Sequence, residues 1–127
     1  MSVPESLRYT SSHEWLRFEN GDTEVVIGIT HHAQEQLGEV IYLGDFPGVG
    51  DTIASGDVIA VVESVKAASD VYSPVAGTIV AVNEAGEESP EQVNSAPYEG
   101  GWMVRIRVAP PLPDLLDAAA YSALLGG

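Results

Sequence analysis

Cysteine is absent from the 127-residue chain, and lysine occurs only once, at position 66. The missing thiols exclude disulfide bridges, thiolate metal sites and cysteine nucleophiles, so any sulfur chemistry at this protein would need an attached group. No apolar run approaches the roughly 20 residues that a helix needs to cross a bilayer. The sequence therefore predicts no membrane-spanning helix.

Basic residues as a class are scarce. Five lysine and arginine residues stand against 19 aspartate and glutamate residues, which gives a net charge of −14 at pH 7. Such a surface repels phosphate groups, which argues against nucleic acid and anionic membranes as partners. We expect protein partners with basic or neutral docking surfaces. Residues 1–5 lack the basic and apolar regions of a secretory signal, so we expect a cytoplasmic protein.

The length and the alternation of short runs predict one mainly β domain over residues 1–127. Apolar residues make up 45% of the chain and charged residues 19%, as in ordinary globular domains. Glycine and proline turns separate short β-rich runs, which is typical of a barrel or a sandwich. The segment Asn20-Gly21-Asp22 predicts a hairpin turn, because an Asn-Gly pair between two β-rich runs is a strong signal for one. The predicted strands cover residues 14–18, 25–29, 39–43, 58–62, 71–72, 78–82 and 102–108.

Three short helices are predicted at the edges of this β domain. Thr30 is placed to cap a helix over residues 31–37. Residues 89–92 have the capping-box pattern with proline at the first helical position, which predicts a single turn. Asp114 is placed to cap a C-terminal helix that ends near residue 125.

Lys66 lies between the apolar run at residues 58–62 and the predicted strand at residues 71–72. We expect the run at 58–62 to be covered on both faces, because it does not alternate. Burying an unpaired ammonium is costly, so the Lys66 side chain should point to water from a turn. The residues alone leave two interpretations, a solubilising turn lysine or the one ε-amine that a modifying enzyme can find.

Seven segments of the chain, taken in order, carry a resemblance to a known family. They are His13-Glu14-Trp15, Gly28-Ile29-Thr30, residues 33–38, Glu63-Ser64-Val65-Lys66-Ala67, residues 69–77, Val82-Asn83-Glu84 and Gly101-Trp102-Met103. Through these segments the chain resembles, from about Tyr9 to Tyr121, the glycine cleavage system H-protein family of lipoyl carriers. It departs from that family at His31-His32, Gly86 and Glu99, where other residues are common.

The resemblance implies a barrel-sandwich hybrid of the lipoyl-domain type with short peripheral helices. Its hairpin core would span about residues 24–108, and a C-terminal helix would span about residues 114–125. Lipoic acid would be attached in amide linkage to Lys66, which removes the lysine charge. The attachment hairpin would include Glu63, Val65 and Ala67, with Glu63 recognised by the lipoate-attaching enzyme.

The resemblance also implies a function as a shuttle in glycine catabolism and one-carbon metabolism. The lipoyl arm would accept an aminomethyl group after a pyridoxal-phosphate enzyme decarboxylates glycine. A tetrahydrofolate-dependent aminomethyltransferase would take that group, and dihydrolipoyl dehydrogenase would restore the disulfide. The chain itself would be a monomeric carrier and not an enzyme. The three histidines do not form a ligand pattern, so no metal site is expected.

An aminomethyl group on the arm carries an ammonium near neutral pH, and a nearby carboxylate would favour that form. Glu14 and Asp70 are the candidate carboxylates. Asp70 lies four residues after Lys66, and Glu14 lies in the His-Glu-Trp segment that the family places nearby. The alternative is that both are solvated surface acids, as most of the 19 acidic residues must be.

Three other functions remain open from the sequence. The same Lys66 could donate lipoate to other proteins in a relay. A biotin carrier is disfavoured, because biotin carriers typically have methionine on both sides of the lysine, where this chain has Val65 and Ala67. An unmodified structural relative would lose nothing if Lys66 became arginine.

Overall fold

The computed structural model describes residues 3–19, 21 and 23–126, and these residues form nine strands and four short helices. None of the helices within these ranges is long and apolar enough to cross a bilayer. The strands are β1 (Arg8–Tyr9), β2 (Glu14–Glu19), β3 (Glu24–Ile29), β4 (Val40–Gly44), β5 (Thr52–Ile53), β6 (Val58–Ser64), β7 (Ala68–Tyr72), β8 (Gly77–Val82) and β9 (Val104–Val108). The helices are α1 (His31–Leu37), α2 (Glu84–Glu88), α3 (Glu91–Ser95) and α4 (Ala118–Leu124).

The strands form two antiparallel sheets that share one apolar core. The larger sheet has the order β1-β2-β3-β9-β8-β5, and the smaller has the order β4-β6-β7. Neither sheet closes into a barrel, and the short helices lie at the edges. The predicted mainly β class, a barrel-sandwich hybrid with peripheral helices and a C-terminal helix, is confirmed. The largest core residues from the two sheets are Leu16, Ile27, Leu43, Ile59, Ile79 and Ile106.

Strand β9 shows why alternation predicts a half-buried strand. Val104 and Ile106 are buried in the core, while Arg105 and Arg107 lie on the other face. Strand β6 differs from the expectation. Val58 is 39% exposed and Val61 is half-buried, so the apolar run is covered fully on one face only.

The predicted hairpin between the first long strands is present. Strands β2 and β3 pair in antiparallel register from Glu14 opposite Ile29 to Glu19 opposite Glu24. Gly21 has a φ of +67°, the left-handed conformation that favours glycine in tight turns. Asn20 and Asp22, the other two residues of the predicted turn, lie outside the described residues.

Thr30 caps α1 as predicted, since its hydroxyl accepts a hydrogen bond from the Ala33 N–H. The capping box at residues 89–92 is wrong in detail. Helix α3 begins at Glu91 after Pro90, and no side chain caps it. Helix α2 was not predicted from the sequence, and its first turn is capped by the Asn83 side chain.

The C-terminal helix begins later than predicted. Asp117, not Asp114, caps it by accepting a hydrogen bond from the Ala120 N–H. The reason is a tertiary contact, because Leu116 exchanges two backbone hydrogen bonds of 2.8 Å with Tyr9 and is thereby held in an extended conformation. Helix α4 therefore cannot include Leu116.

A second apolar cluster holds α4 against the outer face of the larger sheet. Its buried members are Leu7, Tyr9, Trp15, Val26 and Tyr121. Gly28 makes room for the Trp15 ring, because a Cβ at Gly28 would lie only 2.7 Å from Trp15 Nε1. This cluster fixes the start of β2, and with it the segment that contains Glu14.

Candidate functional site

Lys66 lies at the tip of the hairpin formed by β6 and β7, and its side chain is exposed as predicted. Ser64 organises the turn. The Ser64 hydroxyl lies 3.3 Å from the Lys66 N–H and 3.2 Å from the Ala67 N–H, accepting from both. The Ser64 N–H donates to the Ala67 carbonyl at 2.7 Å. The Lys66 ε-amine is thus presented by a turn whose backbone is hydrogen-bonded. This role of Ser64 was not predicted from the sequence.

The residues around Lys66 are open to solvent. Glu63 and Ala67 are exposed, and Val65 is 76% exposed, which is unusual for a valine. In the sheet Glu63 lies between Tyr42 of β4 and Ala68 of β7. All the predicted hairpin residues are therefore accessible to another protein.

A cleft of about 240 Å³ lies beside this hairpin. It is bounded by the start of β2, by α1 and by the edge strand β7. The structure brings Glu14 and Asp70 to the same cleft, although they are far apart in sequence. The lining residues are Ser12, His13, Glu14, Ile29, Ala33, Gln36, Leu37, Val62, Ser69, Asp70 and Val71.

The Lys66 side chain lies close to the helix that forms one wall of the cleft. Helix α1 ends at Gly38, which has a φ of +86°. A Cβ at Gly38 would lie 3.6 Å from Lys66 Cε, so the lysine stem passes the end of α1 in ordinary contact distance. An arm attached to Lys66 therefore starts beside the cleft.

Glu14 is a buried carboxylate, with only 5% of its surface exposed. The Thr10 hydroxyl donates to Glu14 Oε1 at 2.5 Å, and the Glu14 N–H donates to the Thr10 hydroxyl oxygen. Burial raises the pKa of Glu14, and hydrogen bonds from Thr10 and Ser12 oppose that rise. In the described part of the chain no cationic side chain forms an ion pair with Glu14. Among the described residues, no ion pair therefore competes for Glu14 with a cation that enters the cleft.

Asp70 differs from Glu14 because it is exposed. In the β6–β7 pair, Asp70 lies opposite Val61 and Ser69 lies opposite Val62. Residues that lie opposite each other share a face, so Ser69 shares the inner face with buried Val62, while Asp70 belongs to the outer face. Asp70 thus lines the rim of the cleft, and Ser69 and Ser12 are cleft hydroxyls that the sequence analysis missed.

His13 is the residue before Glu14, and it also lines the cleft. Its φ is +71°, a left-handed conformation that is uncommon outside glycine. The His13 ring lies 4.6 Å from the His32 ring, measured between centroids, and burial together with His32 lowers the pKa of His13. Among the described residues no three histidine, aspartate or glutamate side chains are grouped to hold a metal ion.

Comparison with known proteins identifies the family. The family model described as "Glycine cleavage H-protein" matches residues 7–126. The chain belongs to the glycine cleavage H-protein family. H proteins are the lipoyl-carrying shuttles of the glycine cleavage system, and this is the function that the family assigns to the chain.

Individual H proteins match nearly the whole chain. The glycine cleavage system H protein of Nitratidesulfovibrio vulgaris is 54% identical over 125 residues, covering 98% of this chain and 96% of that protein. The H protein of Deinococcus deserti is 55% identical over 123 residues, covering 97% and 98%. A crystal structure of the Mycobacterium marinum H protein has a TM-score of 0.89 at 34% identity and covers 98% of this chain and 100% of the other.

Proposed function

We propose that Lys66 carries lipoic acid in amide linkage and that the other hairpin residues present it. The observation that carries this assignment is the exposed tip position of the only lysine in the chain. Glu63, Val65 and Ala67 surround it without covering it, so a lipoate-attaching enzyme can reach the amine. When bound, lipoate supplies the disulfide that takes up the aminomethyl group and is later restored by the dehydrogenase.

We further propose that the cleft beside the hairpin holds the end of the loaded arm. A lysine stem plus a lipoyl chain spans on the order of 10 Å or more, which is enough to reach the cleft from Lys66. Glu14, buried and without an ion-pair partner in the described residues, would face the ammonium of the aminomethyl group. Asp70 would add a weaker attraction from the rim, and the cleft would limit access of water.

The partners of the shuttle follow from the family's place in the glycine cleavage system. They are a pyridoxal-phosphate glycine decarboxylase, the aminomethyltransferase, dihydrolipoyl dehydrogenase and the lipoate-attaching enzyme. These enzymes would supply the chemistry, while this chain serves as a carrier. The net charge of −14 suits docking onto basic or neutral entrances. The single domain over residues 1–127, the monomeric state and the cytoplasmic location stay predictions.

Mass spectrometry of the protein from its native host tests the attachment. We expect the intact mass to exceed the sequence mass by one lipoic acid less one water, with peptide mapping placing that addition on Lys66. A Lys66→Arg variant should show no addition, and it should fold normally because arginine keeps the charge at an exposed position. A biotinyl mass, or lipoate at another residue, would refute the proposal.

A further inference from the structure

Tyr121 lies in α4, remote from Lys66 in sequence, and its side chain is fully buried. Its ring is stacked on Tyr9 with centroids 4.6 Å apart and planes 7° from parallel. Its hydroxyl oxygen lies 2.8 Å from His13 Nδ1 and 2.7 Å from Thr30 Oγ1. One phenol from the C-terminal helix therefore contacts two segments that build the cleft.

These two segments lead into adjoining walls of the cleft. His13 immediately precedes Glu14, and its carbonyl accepts a hydrogen bond of 3.0 Å from the Thr30 N–H. Thr30 caps α1, the helix that contributes Ala33, Gln36 and Leu37 to the other wall. A change in the distance between His13 and Thr30 would therefore change the width of the cleft.

The partners of Thr30 favour one direction for these hydrogen bonds. Thr30 Oγ1 already accepts from the Ala33 N–H, and among the described residues its own proton has the Tyr121 oxygen as acceptor. In that arrangement Tyr121 donates its proton to His13 Nδ1, and the His13 ring is neutral and protonated at Nε2. The reverse order would leave the Thr30 proton without an acceptor among the hydrogen bonds of the described residues.

We propose that Tyr121 is a positioning residue for the arm cleft. Its hydroxyl joins the wall that bears Glu14 to the wall formed by α1, so the C-terminal helix sets the geometry that holds the loaded arm. This inference rests on the proposed role of the cleft. It gives α4 a function in arm retention that its distance from Lys66 in the sequence does not suggest.

Tyr121→Phe tests the proposal, with Tyr9→Phe as the matched control. Tyr9 is as buried as Tyr121 and stacks on the same ring, but its hydroxyl donates to the Pro4 carbonyl and not to a cleft wall. Both substitutions should lower the melting temperature of the protein by a similar amount. With the partner enzymes removed, Tyr121→Phe should shorten the lifetime of the aminomethyl-loaded protein roughly three- to tenfold, the range of one hydrogen bond. Tyr9→Phe should leave that lifetime at the wild-type value.

Nitrogen-15 NMR of the His13 ring gives a readout that needs no lipoate. In the wild type and in Tyr9→Phe, Nδ1 should be unprotonated and Nε2 protonated, whereas Tyr121→Phe should show a mixture of tautomers. Equal lifetimes for the two phenylalanine variants, or an unchanged His13 tautomer in Tyr121→Phe, would overturn the proposal. If the aminomethyl group is hydrolysed on the wild-type protein as fast as without the cleft, the proposed function of the cleft fails. The NMR result still tests the hydrogen bond between Tyr121 and His13.

A second pair of variants keeps the test decisive if Tyr121→Phe does not fold. Glycine and asparagine both tolerate the left-handed conformation of residue 13. His13→Gly removes the acceptor, whereas His13→Asn places an amide oxygen on the same atom of the side chain, Cγ, that bears Nδ1. We expect His13→Asn to recover most of the lifetime that His13→Gly loses. Equal losses would contradict a role for the Tyr121 contact.

Discussion

Replacing Glu14 with glutamine should raise the stability of the protein while weakening its hold on the loaded arm. The substitution keeps the shape of the side chain and an oxygen that can accept from Thr10, but it removes the buried charge. The two effects have opposite signs, so they can be separated in one variant. A variant that is more stable but retains the loaded arm less well would show that the Glu14 carboxylate serves the function and not the stability of the protein.

The effect on stability follows from the raised pKa of Glu14 in the folded protein. A carboxyl group whose pKa is higher in the folded than in the unfolded state stabilises the folded protein fully at pH values below the unfolded pKa. That stabilisation is lost as the pH rises through the folded pKa. Where Glu14 is ionised, its charge therefore costs stability. We expect Glu14→Gln to melt at a higher temperature than the wild type at pH 7, and the two curves to converge below about pH 4.

The effect on the arm comes from Coulomb attraction. An ammonium about 4 Å from a carboxylate is stabilised by roughly 1 kcal/mol in water and by roughly 4 kcal/mol at a partly shielded site. With a factor of ten for each 1.4 kcal/mol, the retention of the arm should fall by between about fivefold and several hundredfold. Because Glu14 is only 5% exposed, we expect a loss of at least about tenfold.

The assay follows the loaded protein after the partner enzymes have been removed. Release of ammonia gives the lifetime of the aminomethyl form, and intact mass confirms that each variant is lipoylated. Asp70→Asn is the matched control, because Asp70 is exposed at the rim. Its effect should be smaller and should vanish at high ionic strength, whereas the effect of Glu14→Gln should persist. A Glu14→Gln variant that holds the aminomethyl group as long as the wild type would refute the acidic cleft.

Three further predictions concern the scaffold. Ile79→Asp should abolish cooperative melting followed by circular dichroism, whereas Val61→Asp, on a half-buried residue, should still fold; a folded Ile79→Asp variant would contradict the assigned core. Ser64→Ala should lower the free energy of urea unfolding by about 1 kcal/mol and slow enzymatic lipoylation, because two hydrogen bonds of the turn are lost. An unchanged rate of lipoylation would show that these hydrogen bonds are not needed to present Lys66. Asp117→Ala should lower the free energy of unfolding by about 1 kcal/mol in the same experiment, because Asp117 caps α4. Asp114→Ala should lower it by less than about 0.5 kcal/mol, and the reverse order would contradict the observed start of α4.

Features that depend on near neighbours in the chain could be predicted from the sequence. The alternation of β9, the cap by Thr30 and the exposed position of Lys66 each follow from residues within a few positions. The start of α4 could not be predicted in this way, because the bridge between Leu116 and Tyr9 decides it. Local capping patterns are weak preferences that one such tertiary contact overrides.

The cleft was predicted in part. Glu14 and Asp70 were expected near the hairpin, and both line the cleft, but nothing in their local sequence indicated that one is buried and the other exposed. Ser64 was inside a matching segment without being recognised as the residue that closes the turn. The contacts of Tyr121 join positions 91 and 108 residues apart, and one sequence carries no signal for pairs at that separation.

Glycine–bicarbonate exchange by the glycine decarboxylase, supplied with this protein after enzymatic lipoylation, tests directly whether Lys66 bears the arm. We expect exchange with the wild type and none with Lys66→Arg. The substitution should change the free energy of unfolding by no more than about 0.5 kcal/mol, because Lys66 is exposed. Exchange that survives in the folded Lys66→Arg variant would contradict the attachment of the arm at Lys66.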